Sequence, residues 1–133
     1  MGSSEVEVDG KQDGVQVVRT VDAPVAQVWQ TLISRSGAEA LLGPGATFGG
    51  KGEPWHSEEG PSGVLRSFHP QEQLRLSWHE TPDAPASLVE LDLSDDAGST
   101  RLDLRHDRIA GDADGYEQRW NGALDRLDQA VRA

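Results

Sequence analysis

Few residues in this chain combine a reactive side chain with suggestive company. "WHE" at 78–80 sets the Trp78 indole beside His79 and Glu80, an imidazole and a carboxylate of the kind that general acid–base chemistry uses. A second histidine, His106, ends the alternating run "STRLDLRHD". Arg66 sits in "GVLRSFH", where an inward guanidinium would need a partner, because an unpaired buried charge is costly. "HSEEG" offers His56, Glu58 and Glu59 to a cation, but a solvated charged turn is the plainer reading. Larger signatures are missing from the sequence. There is no HExxH or GxSxG, there is no cysteine, and "GGKGEPW" lacks the GK[ST] ending of a phosphate loop. Histidines 56, 69, 79 and 106 show no helical metal spacing. Neither a metal nor a cofactor is expected.

The elements that must position these groups read clearly. "GVQVVRTV" (14–21) alternates as a strand, with Val15, Val17, Arg19 and Val21 on one face. Asp22 or Ala23 then caps a helix with Pro24 in its first position, and Val25, Val28, Trp29 and Leu32 recur at helical spacing. "SGAEALLG" (36–43) reads as a second short helix ended by Gly43. A Gly- and Pro-rich stretch follows, anchored by Phe48 and Trp55, and Trp55 is placed as a lid over a cavity mouth. Strands at 63–69, 73–80, 87–94 and 99–107 succeed one another through short turns, which makes an antiparallel meander. Tyr116, Trp120, Leu124, Leu127 and Val131 share one face of a long final helix, with Asp112 or Asp114 as its cap. The fold class is therefore α+β. A curved antiparallel sheet of about six to seven strands grips a long C-terminal helix, and two short helices follow the first strand.

Strand parity sorts the candidate groups. Leu74, Leu76, Trp78 and Glu80 share a face against Arg75, Ser77 and His79. Leu102, Leu104 and His106 share another against Arg101, Asp103 and Arg105. The apolar sets must meet the long helix, so His106 points inward and His79 outward. Parity leaves Arg66 open: it points inward if Phe68 marks the inner face, outward if Leu65 does. The candidate cavity lining is Arg66, Phe68, Leu76, Trp78, Leu91, Leu104, His106, Trp120 and Leu124. Four of the seven aromatics are tryptophan, and core packing is the first explanation of Trp29, Trp78 and Trp120.

With 133 residues the chain has the length of one domain, read as 14–133 behind a loose polar tail at 1–13. A net charge of −11 disfavours nucleic acid and anionic membranes as partners. The N-terminus has neither an apolar run nor a basic cluster, so no signal peptide or anchor is expected, and a cytoplasmic location is.

In their order and spacing, "VVRTVDAPVAQVWQTL", "GVLRSFHPQEQLRLSW", "GSTRLDLRHD" and "GYEQRWNGALDRLDQAV" resemble the START-like (SRPBCC, helix-grip, birch-pollen-allergen-like) superfamily. Within it they resemble the bacterial branch similar to the C-terminal domain of the heat-shock-protein-90 ATPase activator. Where members of that branch often carry an aromatic pair, this chain has Leu41 and Leu42. The resemblance includes a histidine at the place of His106 and implies a cavity between sheet and C-terminal helix. Three functions follow from it. The first is binding of a small hydrophobic molecule, lipid- or polyketide-like, in that cavity. The second is a chaperone-activator-like module that contacts a protein. The third is a cyclase- or hydrolase-like enzyme using the same cavity, with His106 and Arg66 as its acid–base candidates. The binder is preferred, since the motifs are structural and bring no catalytic set.

Overall fold

The computed structural model describes residues 14–109 and 113–132. The elements run β1 (Gly14–Val21), α1 (Val25–Ile33), α2 (Arg35–Leu42), β2 (Pro54–His56), β3 (Ser62–His69), β4 (Gln73–Trp78), β5 (Ser87–Asp96), β6 (Ser99–Asp107) and α3 (Ala113–Arg132). Six strands form one antiparallel sheet in the order β1-β6-β5-β4-β3-β2, as the alternation and short turns require. The tail at 1–13 and the alternative helix cap Asp112 lie outside the described residues.

Register aligns the apolar faces into rows. Phe68, Leu74, Leu91, Leu104 and Val17 pair in succession across β3, β4, β5, β6 and β1. Leu65, Leu76, Val89, His106 and Val15 form the next row. Onto this face α3 lays Trp120, Ala123, Leu124, Leu127 and Val131, and α1 adds Val28, Trp29 and Leu32. The 3.6-residue stripe of α3 and the two-residue period of the strands thus meet in one core. The β5–β6 turn is Ala97-Gly98 with φ of 54° and 94°, a two-residue turn whose positive angles match the strand twist.

The outer face is a charged lattice. Glu90 pairs with Arg105 at 2.7 Å and Arg75 at 3.4 Å, while Gln73 donates to Asp92 at 2.7 Å and Gln16 to Asp103 at 2.9 Å. Val18 is the exposed large apolar side chain among the described residues.

Two helix starts differ from expectation. Pro24 is the N-cap of α1 rather than its first helical residue, and no side chain caps it. Asp22 instead accepts a hydrogen bond from Ser99 at 3.3 Å, and the Ala23 carbonyl accepts one from the Thr100 hydroxyl at 2.8 Å. The residues read as caps therefore tie the β1–α1 corner to β6. In α2, which begins at Arg35, Ser34 supplies the cap by accepting from Gly37 N–H at 3.3 Å.

Candidate functional site

A cluster of polar tips lies inside the aromatic end of the core. His106 is fully buried near the end of β6 and paired on both ring nitrogens. The Trp120 indole N–H donates to its Nδ1 at 3.0 Å, so that nitrogen carries no proton. Nε2 therefore bears the hydrogen of the neutral ring and donates it to Ser87 Oγ at 2.7 Å. Ser87 passes the chain on, donating to the Trp78 carbonyl at 3.2 Å. Burial lowers the His106 pKa to about 4, with Glu80 pulling it up and Arg119 pushing it down. A charged ring would also aim a second N–H at the Trp120 donor.

The Ser87–His106 contact looks like a nucleophile and its base, but the proton direction is reversed. A base must accept from the serine, whereas here the ring donates to it. His106 is a fixed, neutral structural group.

The rim of this cluster contains residues that the sequence reading did not bring together. Glu80 Oε1 accepts from Tyr116 Oη at 2.7 Å and from the Trp78 indole N–H at 3.0 Å. Its other oxygen lies 4.0 Å from an Arg119 nitrogen, and the Arg119 guanidinium sits 4.9 Å over the Trp78 ring. Burial alone would raise the Glu80 pKa, but the two hydrogen bonds and the Arg119 charge outweigh it and leave the carboxyl below its ordinary value. Tyr116 is pushed up to about 12 by burial and by its bond to Glu80. Two signals for this rim were present: Glu80 shares the parity of Trp78, and Tyr116 lies one turn before Trp120.

The parity assignments for the other candidates hold in part. Leu76, Trp78, Leu91, Leu104, Trp120 and Leu124 are all closed to solvent and pack on one another. Phe68 is half-buried with its ring 5.2 Å from Trp29. His79 is half-exposed and uses Nδ1 against the Ala84 carbonyl at 2.8 Å.

Two expectations are corrected. Arg66 is exposed, because the register slips between Leu65 and Ser67. That irregularity lets Leu65 face Leu76 and Phe68 face Leu74 on the same inner side, with Arg66 thrown outward between them. Trp55 is no lid. It is buried, its ring lies 5.2 Å from that of Trp78 at a 43° tilt, and it donates to the Ser77 carbonyl at 3.2 Å. Gly63 makes room for it, since a Cβ there would collide with the Ser77 carbonyl and lie 2.8 Å from the Trp55 indole nitrogen.

Arg19 lies on the inner side at the sheet edge and reaches α3, pairing with Asp125 at 3.2 Å and Asp128 at 3.5 Å.

Open space lies on the other flank of α3. A groove of about 650 Å³ runs between α2 and α3, with Ala40, Leu41, Leu42 and Pro44 on one wall and Arg119, Gly122, Arg126 and Ala130 on the other. Glu39 and Glu59 also line it. None of the interior candidates borders this groove, but Arg119 joins it to the Trp78 rim. Gly122 helps keep it open: a Cβ there would meet only the flexible tip of Arg126, at 3.4 Å. A glycine inside a helix costs about 0.5–1 kcal/mol relative to alanine. At this position the missing side chain leaves room in the groove.

The fold, a helix gripped by an open antiparallel sheet, is that of the START-like superfamily. The family model for "Activator of Hsp90 ATPase homolog 1-like protein" matches residues 19–132, and the chain belongs to that family. Among solved structures it is similar to CalU16 from Micromonospora echinospora, with a TM-score of 0.75 and 25% identity over 87% of this chain and 74% of that one. DynU16, a protein of the dynemicin biosynthetic locus, superposes with a TM-score of 0.76 at 18% identity, covering 91% of this chain and 48% of its own. The Aha1 dimer from Colwellia psychrerythraea gives 0.72 at 15% identity, over 89% of this chain and 95% of that one. No curated protein sequence matches significantly. No described helix is long and apolar enough to cross a membrane.

Proposed function

We propose that this protein binds a small, partly hydrophobic molecule, and that it does so in the α2–α3 groove rather than between sheet and helix. The observation that carries the reading is the groove itself. Its volume of about 650 Å³ lies in the range of small-molecule sites, and its lining sets apolar Pro44 and Ala130 among convergent charged groups that can orient a ligand. The interior set from Phe68 to Leu124 then serves as the rigid wall behind α3. Trp78 and Arg119 couple the two.

An enzymatic role finds less support. Both nitrogens of His106 are committed and Arg66 faces solvent, so neither acid–base candidate reaches a substrate. DynU16, of the same fold, comes from a biosynthetic locus, which agrees with a small-molecule ligand.

Native mass spectrometry tests the reading. The protein is incubated with a small-molecule cell extract, alongside Gly122→Leu, which fills the groove. The expected result is an added mass on the native protein that falls at least about tenfold in the variant. Equal capture by both proteins would place the ligand elsewhere. Capture by neither would favour the protein-interaction role that the family description suggests.

A further inference from the structure

The charges that line the groove are sorted by wall. Arg119 and Arg126 project from α3, whereas Glu39 lies on α2 and Glu59 in the loop before β3. Opposite charges that line one groove can pair with each other. Among the described residues, however, neither arginine forms an ion pair with Glu39 or Glu59. Arg126 spends its Nε on the Ala40 carbonyl at 3.2 Å, and Arg119 turns to Glu80 and the Trp78 ring. Glu39 Oε2 accepts from Gly45 N–H at 2.8 Å. A guanidinium has five donors in a planar fork, so most of the donors on both arginines stay available.

The groove therefore presents a basic wall facing an acidic one, with apolar Pro44 and Ala130 beside them. A purely anionic ligand would meet the carboxylates, and a purely cationic one the guanidiniums. Only a molecule with both signs satisfies both walls. We infer that the ligand is a zwitterionic amphiphile, a short aliphatic or alicyclic body bearing an anionic and a cationic group. The anionic group lies against Arg119 and Arg126, the cationic group against Glu39 and Glu59, and the apolar body against Pro44 and Ala130. This inference rests on the groove being the binding site. It adds the charge pattern of what binds there.

Four probes with the same eight-carbon chain separate the possibilities: N-octyl-N,N-dimethylglycine, octanoate, octyltrimethylammonium and octanol. Each is titrated below its micelle concentration into the full chain labelled with ¹⁵N, and the backbone amides of Gly43 and Gly122 report on the groove. The zwitterion is expected to bind about tenfold more tightly than any of the other three, as one good charge-assisted contact implies. Glu59→Gln, at an exposed residue, should reduce that preference toward the affinity of octanoate. Arg126→Gln should reduce it toward that of octyltrimethylammonium. Equal binding of octanol would overturn the charge inference and leave the groove as a site. Tighter binding of octanoate or octyltrimethylammonium than of the zwitterion would also overturn it. If no probe moves either amide, the groove reading fails with it.

Discussion

Stability should fall in mildly acidic solution because of one residue, His106. In the folded protein its pKa is about 4, and in the unfolded chain it returns to about 6.5. Between those values the unfolded state binds a proton that the folded state refuses. Stability is then fully present above pH 6.5 and is lost as pH falls toward 4. The whole effect is about 3 kcal/mol, of which about 2 kcal/mol should appear between pH 7 and pH 5. Glu80 acts in the same direction. Its depressed pKa places its loss at lower pH, as the carboxyl protonates, so the window above pH 5 belongs mainly to the histidine. Urea denaturation at pH 7, 6 and 5, for the native protein and His106→Gln, measures the difference. The variant should be less stable at pH 7, since truncating the network strands the buried Trp120 and Ser87 partners at about 1–3 kcal/mol. It should also lose most of the slope between pH 7 and 5. Equal slopes in both proteins, or a folded His106 that titrates near 6.5 by NMR, would refute the fixed neutral tautomer.

Three further outcomes follow from the geometry. Gly122→Ala should raise stability by about 0.5–1 kcal/mol, read as a higher Tm, because its Cβ meets only the Arg126 tip. Gly63→Ala should cost more than about 2 kcal/mol in urea denaturation, since its Cβ collides with the Ser77 backbone and crowds the Trp55 indole. Arg66→Ala should change stability by less than about 0.5 kcal/mol, as expected for an exposed side chain; a larger loss in the same assay would return Arg66 to the interior.

Much of the fold was legible because two periodicities dominate the sequence. Strand parity placed Trp78, Leu104 and His106 on the inner face, and the four-residue steps from Tyr116 to Leu124 gave the stripe of α3. Arg66 was undecidable for a physical reason. Strict alternation cannot put both Leu65 and Phe68 inside, and the irregularity that does so leaves no mark in residue type. Trp55 was misread as a lid because its three-residue strand is too short to show a pattern, while its indole bond to Ser77 crosses 22 positions. The groove was invisible for a similar reason. It depends on how α2 crosses α3 beside Gly122 and Ala130, and small residues in a helix look like ordinary spacing until the neighbour is known. The Glu80–Tyr116–Arg119 rim joins β4's end to α3, and only the tertiary fold brings them within bonding distance.

The central claim is that a ligand occupies the α2–α3 groove and leaves the aromatic core closed. An NMR shift map with the zwitterion N-octyl-N,N-dimethylglycine tests this most directly. Shifts should concentrate at residues 40–43 and 119–126 and disappear in Gly122→Leu, with the Leu76, Leu91 and Leu104 amides unmoved. Shifts centred on those three strands and on the Trp120 indole, with the groove amides silent, would contradict it and restore the cavity between sheet and helix.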